Sequence, residues 1–320
     1  MTTTTFRSAL KATGLTKSFG DTVALSGIDL DVAEGTIFSL LGPNGAGKTT
    51  TVQILSTLIR PDAGEVQVAG FDLIREPDAV RTAIGVTGQF SAVDNLLTGE
   101  ENLVLMADLH HLDRREGRRR AAQLLDQFDL VDAAGRMLAT YSGGMRRRLD
   151  LAMTLVGDPQ IIFLDEPTTG LDPRSRRTMW QIIRDLAATG VTILLTTHYL
   201  EEADQLADDI AVLDHGRLVA QGTPDELKRR IPGGHIGLHF RDLNGLDNAA
   251  RVLGEASRDN DALVLRVPTD GTPRSLKALL DRLDQPILDV VDRTTVHTPD
   301  LDDVFFALTG HPQPEEEIPA

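Results

Sequence analysis

A glycine-rich loop that ends in a lysine and two threonines carries the most specific chemistry in this sequence. Residues 42–50 read Gly-Pro-Asn-Gly-Ala-Gly-Lys-Thr-Thr and match the Walker A pattern GxxxxGK[ST]. Glycines let backbone N–H groups turn inward around a phosphate, and a helix N-terminus adds positive potential at the same point. Lys48 would reach the β- and γ-phosphates of a nucleotide, while Thr49 would hold Mg²⁺. We therefore predict that the nucleotide is bound by Gly42, Pro43, Asn44, Gly45, Ala46, Gly47, Lys48, Thr49 and Thr50.

Two adjacent acids extend this chemistry from binding to hydrolysis. The apolar residues 161–164 predict a buried strand, and Asp165 and Glu166 follow directly after it. Asp165 could hold Mg²⁺, and Glu166 could polarise an attacking water as a general base. A core strand followed by two surface acids would give the same pattern, but the upstream phosphate loop favours the catalytic interpretation.

A serine and two glycines form a second candidate phosphate site. Ser142, Gly143 and Gly144 precede a predicted helix, so the serine hydroxyl and the glycine N–H groups would point at an anion. Taken alone, Ser-Gly-Gly is more often a helix cap. Its position between the two other motifs is what favours the phosphate site.

Short apolar runs that alternate with helical stretches predict an α/β fold with parallel strands. The predicted strands cover residues 12–19, 24–32, 36–41, 65–68, 161–164 and 191–196. Helices are predicted at residues 50–58, 100–109, 115–128 and 146–156. Residues 210–213 and 217–220 flank His215-Gly216 and predict a hairpin.

The composition changes near residue 230, where residues 228–234 are typical of a linker. Strands are then predicted at 236–240, 262–267 and 287–291, and helices at 246–253, 273–283 and 301–308. We therefore predict a nucleotide-binding domain at 1–230, with a helical subdomain at about 95–160, and a small α+β accessory domain at 231–311. The Pro- and Glu-rich residues 312–320 predict a disordered tail.

Composition excludes several classes of protein. The chain has 320 residues, of which 41% are hydrophobic and 25% charged, as in an ordinary globular protein. It contains no cysteine, which excludes disulfides and thiolate chemistry. No apolar run is long enough for a membrane span, and the N-terminus lacks the apolar core of a signal peptide. A net charge of −16 argues against nucleic acid as a partner.

The joint motif set resembles the nucleotide-binding subunits of ABC transporters. Residues 141–145, Tyr-Ser-Gly-Gly-Met, are similar to the family's LSGGQ signature, with Tyr141 in place of Leu and Met145 in place of Gln. The resemblance covers about residues 9–230. It implies that Ser142, Gly143, Gly144 and Met145 contact a nucleotide, and that Lys48 and Glu166 are catalytic.

Further family positions match in the family's order along the chain. The resemblance implies that Phe19 stacks on adenine and that Gln89 binds Mg²⁺ and takes part in catalysis. It also implies that Asp172 lies in the loop that crosses the dimer, and that His198 contacts the γ-phosphate during catalysis. The Mg²⁺ ligands implied are Thr49, Gln89 and Asp165.

The resemblance also implies an architecture and partners. The fold would be a P-loop NTPase core with antiparallel β and α-helical subdomains. The signature of one subunit would cover the P-loop of a second copy, so that ATP and Mg²⁺ lie between them. An integral membrane permease would be the other partner, at the cytoplasmic face of a bacterial cell membrane. Four stretches are similar to the daunorubicin/doxorubicin-resistance (Drr) exporter ATPases, which implies drug or antibiotic export: residues 86–94, 141–150, 170–175 and 301–310.

Three alternatives remain. The first is an exporter ATPase for another cargo, such as a lipid or polysaccharide, since the permease would select the cargo. The second is a ribosome-acting ABC protein, but those carry two cassettes per chain and this chain has one of each motif. The third is a DNA-repair ATPase, whose long coiled coil would not fit between Gly42 and Ser142.

A run of arginines follows the signature. Arg146, Arg147 and Arg148 are predicted in the first turn of the signature helix, where cations are normally unfavourable. We therefore hypothesise that they lie beside the phosphates of the opposing site or contact a partner.

Overall fold

The computed structural model describes residues 7–88, 92–230, 234–254, 256–269 and 272–310. The chain folds into two compact units, the first ending at Pro224 and the second beginning at Asp225. The predicted division into separate domains at residue 230 stays a prediction.

The first unit alternates strands and helices. Its strands are β1 (Ser8–Phe19), β2 (Thr22–Ala33), β3 (Ile37–Leu41), β4 (Ala63–Val68), β5 (Phe71–Asp72), β6 (Ile84–Thr87), β7 (Ile161–Asp165), β8 (Thr192–Thr197), β9 (Asp209–Asp214) and β10 (Arg217–Gly222). Its helices are α1 (Lys48–Leu55), α2 (Pro77–Ala83), α3 (Gly99–Leu109), α4 (Arg114–Gln127), α5 (Gly143–Thr154), α6 (Pro173–Ala188) and α7 (Leu200–Leu206).

A mostly parallel sheet positions the motifs. Its strand order is β10-β9-β3-β8-β7-β6, in which β10 is an antiparallel edge and the other neighbours are parallel. Every residue of β3, β7 and β8 is buried, as expected for strands covered on both faces. Leu41 pairs with Thr197, and Asp165 pairs with Thr196. The carboxyl ends of these strands therefore meet at one edge, where ligands bind in open α/β sheets.

An antiparallel sheet of order β2-β1-β4-β5 forms the second layer of the first unit. One apolar core joins its inner residues, such as Leu15 and Leu30, to Phe38 and Phe163 of the parallel sheet. A second core lies under the helices and includes Leu103, Leu124 and Leu149, from α3, α4 and α5. The structure thus has the α/β fold with antiparallel β and helical parts that the sequence predicts.

The second unit is α+β. Its strands are β11 (His235–Phe240), β12 (Ser257–Asp259), β13 (Val264–Pro268) and β14 (Val291–His297), in the antiparallel order β12-β13-β11-β14. Its helices are α9 (Leu243–Leu253), α10 (Pro273–Leu280), α11 (Gln285–Leu288) and α12 (Leu301–Thr309), and α8 (Pro224–Arg230) spans the boundary between units. Ile236, Leu238 and Leu265 of the sheet pack with Leu246 and Ala249 of α9.

The hairpin predicted around His215-Gly216 is confirmed, because β9 and β10 pair antiparallel there. The strand predicted at 287–291 is wrong. Asp284 accepts a hydrogen bond from the backbone N–H of Ile287, and a proline lies in the first turn, so the segment begins a helix instead. The linker predicted from residue 228 is also wrong at its start, because α8 continues to Arg230. Residues 312–320 lie outside the described residues.

Helices in the described part of the chain are too short or too polar to cross a bilayer.

Candidate active site

The glycine-rich loop connects β3 to α1 and is packed against the sheet. A Cβ atom at Gly42 would overlap the carbonyl oxygen of Leu213, and one at Gly47 would lie 2.6 Å from the Ala24 carbonyl oxygen. Gly47 also has a φ of 107° and Gly45 one of 82°, which L residues rarely adopt. A side chain at these positions would move the loop backbone, so glycine is required for its shape.

Lys48 is the first residue of α1 and is buried, with only 4% of its side chain exposed. Its Nζ donates to the carbonyl oxygens of Gly42 (2.7 Å) and Pro43 (3.1 Å), and lies 3.7 Å from Glu166 Oε1. Burial lowers the pKa of Lys48, while the nearby carboxylates of Glu166 and Asp165 oppose that shift. Lys48 therefore directs its ammonium group at the backbone of the loop and at the carboxylates at the end of β7.

Oxygen atoms suited to Mg²⁺ meet beside this lysine. Thr49 Oγ1 donates to Asp165 Oδ1 at 3.3 Å, and Thr196 Oγ1 donates to the same oxygen at 2.6 Å. A hydroxyl and a carboxylate next to a phosphate-binding loop match the way Mg²⁺ is held with nucleotide phosphates. The residues present thus fit the ion, which Thr49 and Asp165 would hold.

Glu166 has a strained backbone that its neighbours hold in place. Its φ is 50°, in the left-handed region, which is uncommon for a residue other than glycine. Its N–H donates to the carbonyl oxygen (3.2 Å) and Oγ1 (3.0 Å) of Thr196. Glu166 Oε1 lies 3.3 Å from His198 Nδ1. Hydrogen bonding to His198 lowers the pKa of Glu166, as does Lys48, against the opposing effect of burial. The carboxylate is therefore kept ionised, as a general base must be.

The signature motif begins helix α5. Ser142 Oγ accepts a hydrogen bond from the Met145 N–H at 3.2 Å and caps the helix. Ser142 and Gly143 are exposed, and a Cβ at Gly143 would meet nothing within 4 Å. The Met145 side chain, where the family has glutamine, packs against the core under the helices. The helix N-terminus thus presents its N–H groups to the surface, while Met145 contributes to the core.

The signature is packed against the start of helix α6. A Cβ at Gly144 would lie 2.6 Å from Ser175 Oγ, which donates to Asp172 Oδ2 at 2.6 Å. Asp172 caps α6 by accepting from the N–H groups of Arg174 and Ser175. The hydrogen bonds from Ser175 lower the pKa of Asp172. Tyr141 is buried on the other side, where its hydroxyl donates to the Ala133 carbonyl oxygen at 2.7 Å.

Comparison with known proteins decides the family. The model of the family "ABC transporter" matches residues 25–169. The daunorubicin resistance ATP-binding protein DrrA3 of Streptomyces coeruleorubidus is 48% identical over 304 residues, which cover 94% of this chain and 96% of that protein. The chain belongs to the ABC transporter ATP-binding family. The predicted resemblance to this family and to its Drr-type members is confirmed.

The chain is also similar to an export protein of another kind and to a solved cassette structure. A Nod factor export ATP-binding protein I of Ralstonia nicotianae is 37% identical over 304 residues, covering 94% of each chain. A dimeric ATP-binding cassette in a post-hydrolysis state, bound to ADP and Pi, has a TM-score of 0.61 and 28% identity, covering 67% of this chain and 98% of that chain. The predicted ATPase fold and enzyme class are confirmed, and the family domain binds nucleotide.

The structure brings part of the predicted site of this ABC ATPase together. The P-loop residues, Asp165, Glu166 and His198 converge at the edge of the parallel sheet, whereas Ser142–Met145 and Asp172 form a separate group at the starts of α5 and α6. Phe19 lies half-exposed at the end of β1, with Lys17 Nζ 5.5 Å from its ring centroid. Gln89 lies outside the described residues. The roles of these residues stay predictions.

The arginines after the signature donate hydrogen bonds to carbonyl oxygens of their own chain. Arg146 donates to the carbonyl oxygen of Ala139, and Arg148 to those of Phe128 and Asp129. Only 12% of the Arg147 side chain is exposed, and its partners are backbone groups and Asp150. These contacts hold Arg147 and Arg148 against their own chain, and the hypothesis that the run lies beside the opposing phosphates or contacts a partner stays a prediction.

A buried glutamate that the sequence patterns did not indicate lies behind residues 165–168, the catalytic turn, which carries the candidate base. Glu202 Oε1 accepts hydrogen bonds from Thr168 Oγ1 (2.6 Å) and from Trp180 Nε1 (3.0 Å). Thr168 follows Glu166 closely in the chain, and Glu202 lies one turn after His198. Burial raises the pKa of Glu202, although these hydrogen bonds and Arg176 oppose the shift. One carboxyl group therefore joins the segments that carry the candidate base, Glu166, and His198.

Glu202→Gln tests this raised pKa. Because the folded protein binds the Glu202 proton more tightly than the unfolded chain does, the contribution of Glu202 to wild-type stability falls as pH rises from the ordinary carboxyl pKa through the folded one. Glutamine does not titrate and so makes no such pH-dependent contribution. The unfolding free energy of the variant minus that of wild type should therefore increase with pH, by up to about 1.4 kcal/mol per pH unit. Urea unfolding across a series of pH values measures the difference. A constant or falling difference would contradict the assignment.

Proposed function

We propose that this ABC ATPase binds Mg-ATP between its P-loop and the signature of a second copy, and drives drug export through a separate membrane permease. The observation that carries the proposal is the separation of two phosphate-binding groups. Lys48 and the P-loop are at the sheet edge, while Ser142 and Gly143 are exposed at the start of another helix. A second copy would bring its signature to the P-loop, and the dimeric cassette bound to ADP and Pi supports this arrangement.

Each residue of the candidate site would have a separate role in hydrolysis. Lys48 and the P-loop N–H groups would neutralise the phosphates and orient the γ-phosphate. Glu166 would accept a proton from water as the water oxygen bonds to the γ-phosphorus and the bond to the bridging oxygen of ADP breaks. His198 would contact the γ-phosphate and orient the Glu166 carboxylate. Mg²⁺, held by Thr49, Asp165 and Gln89, would supply charge neutralisation for the leaving ADP.

The names of the relatives support the choice of cargo. The relatives at 46–48% identity are daunorubicin or doxorubicin resistance proteins. Nod factor export proteins follow at lower identity, which keeps an exporter for a lipid or a polysaccharide as the second candidate. We propose that the chain associates peripherally with the cytoplasmic face of a bacterial membrane through its permease. Its net charge of −16 supports a function without nucleic acid.

Glu166→Gln tests the catalytic assignment. Glutamine keeps the size of the side chain but accepts no proton, so kcat should fall by about 10²- to 10⁴-fold while ATP binding is retained. With ATP, the variant should accumulate as a dimer in size-exclusion chromatography with light scattering. The exposed Glu65→Gln variant is the control and should turn over like wild type. Hydrolysis by Glu166→Gln at the wild-type rate would show that another group is the base.

Purification from native membranes tests the export function. A tagged chain should co-purify with an integral membrane protein, and ATP hydrolysis by the complex in lipid vesicles should increase with daunorubicin or doxorubicin. Stimulation by lipids or polysaccharides alone would favour the second candidate. Recovery of a ribosome or DNA complex in place of a membrane protein would overturn the transporter assignment.

A further inference from the structure

The buried guanidinium of Arg147 binds three successive carbonyl groups of the catalytic turn. Its Nη2 donates to the carbonyl oxygens of Asp165 (3.1 Å) and Glu166 (3.2 Å), and its Nε donates to that of Pro167 (2.9 Å). Its Nη1 donates to the Gly88 carbonyl oxygen (2.9 Å). Every nitrogen of the group therefore donates to a fixed acceptor, which only a planar guanidinium can do at these positions.

Asp150, one helical turn further along α5, completes the arrangement. Its Oδ2 lies 3.3 Å from Arg147 Nη1, and its Oδ1 accepts a hydrogen bond from the Ala92 N–H at 3.0 Å. Only 3% of the Asp150 side chain is exposed. A buried cation requires such a partner, because removal of either charge leaves the other uncompensated. The pair thus belongs to the interior of the first unit and is not a surface ion pair.

The contact matters because Glu166 is strained. A left-handed backbone at a residue other than glycine is energetically unfavourable and persists only where its surroundings enforce it. Here Thr196 holds the N–H of Glu166, and Arg147 holds its carbonyl group as well as the carbonyl groups on either side. The peptide planes on both sides of Glu166 are thereby fixed, and with them the direction of the carboxylate toward Lys48 and His198.

We propose that Arg147, paired with Asp150, is a positioning residue for ATP hydrolysis. The inference rests on the proposed role of Glu166 as general base; every guanidinium nitrogen of Arg147 donates to a protein oxygen, so Arg147 would act through Glu166. It holds the carbonyl groups of Asp165, Glu166 and Pro167 so that the Glu166 carboxylate is directed at the attacking water.

Arg147→Lys is the most direct test. Lysine keeps the charge beside Asp150 but cannot reach all the carbonyl groups at once, so the turn should relax. We expect kcat to fall by about 10- to 100-fold, the loss typical of a small misplacement of a catalytic group, with KM for ATP changed little.

Arg148→Lys is the matched control. Arg148 is on the same helix and also donates to two carbonyl groups, but these belong to Phe128 and Asp129. It should retain the wild-type kcat.

Two further measurements separate positioning from general stability. In the Glu166→Gln background, Arg147→Lys should cause little additional loss in single-turnover hydrolysis, because Arg147 acts through Glu166. Asp150→Asn should also lower kcat, but by less than Arg147→Lys does. Urea unfolding should confirm that the variants are folded. Wild-type kcat in folded Arg147→Lys would overturn the proposal. An equal loss of hydrolysis rate on adding Arg147→Lys to wild type and to Glu166→Gln would also overturn it. The same holds if Arg147→Lys and Arg148→Lys lose kcat and ATP binding to the same extent.

Discussion

The whole site depends on holding one buried cation and two carboxylates at the edge of a single sheet. Lys48 begins the helix after β3, whereas Asp165 ends β7 and Glu166 follows it, so the three residues come together from segments that are far apart in sequence. Opposite charges in a poorly solvated site attract strongly, but each is costly to bury alone. The parallel strands β3, β7 and β8 resolve this conflict because their carboxyl ends meet, so that every charge is buried with its partners. Lys48 offsets only one of the two carboxylate charges, and Mg²⁺ would bring further positive charge to the site.

Local sequence patterns predicted the parts of this site that local geometry determines. The P-loop glycines, the acids after β7 and the serine before α5 each have a fixed relation to the element beside them, so spacing alone places them. The same applies to the hairpin at His215-Gly216, where two apolar runs flank a turn. By contrast, the helix at Gln285–Leu288 replaced a predicted strand because Asp284 and the proline after Gln285 favour a helix start, although the segment is apolar.

The contacts that hold the catalytic turn could not be read from sequence. Arg147 lies in a basic run typical of an exposed helix face, and its partners Gly88 and Pro167 are distant in the chain. Glu202 looks like a surface acid in a helix of acids, yet it is buried against Trp180. In both cases tertiary packing decides the environment of the side chain. The motif match located the candidate base, whereas only the structure showed what holds it.

The proposed mechanism requires, above all, that each catalytic site is shared between two copies of the chain. Mixing two inactive variants tests this requirement directly. Lys48→Ala disables the P-loop, and Gly143→Asp places a negative charge at the signature, where a Cβ would meet nothing within 4 Å. If the site is shared, a mixed dimer has both defects in one site and leaves the other intact. The mixture should therefore hydrolyse ATP although neither variant does so alone. If no mixing ratio restores hydrolysis, each site is contained within one chain and the shared-site mechanism is wrong.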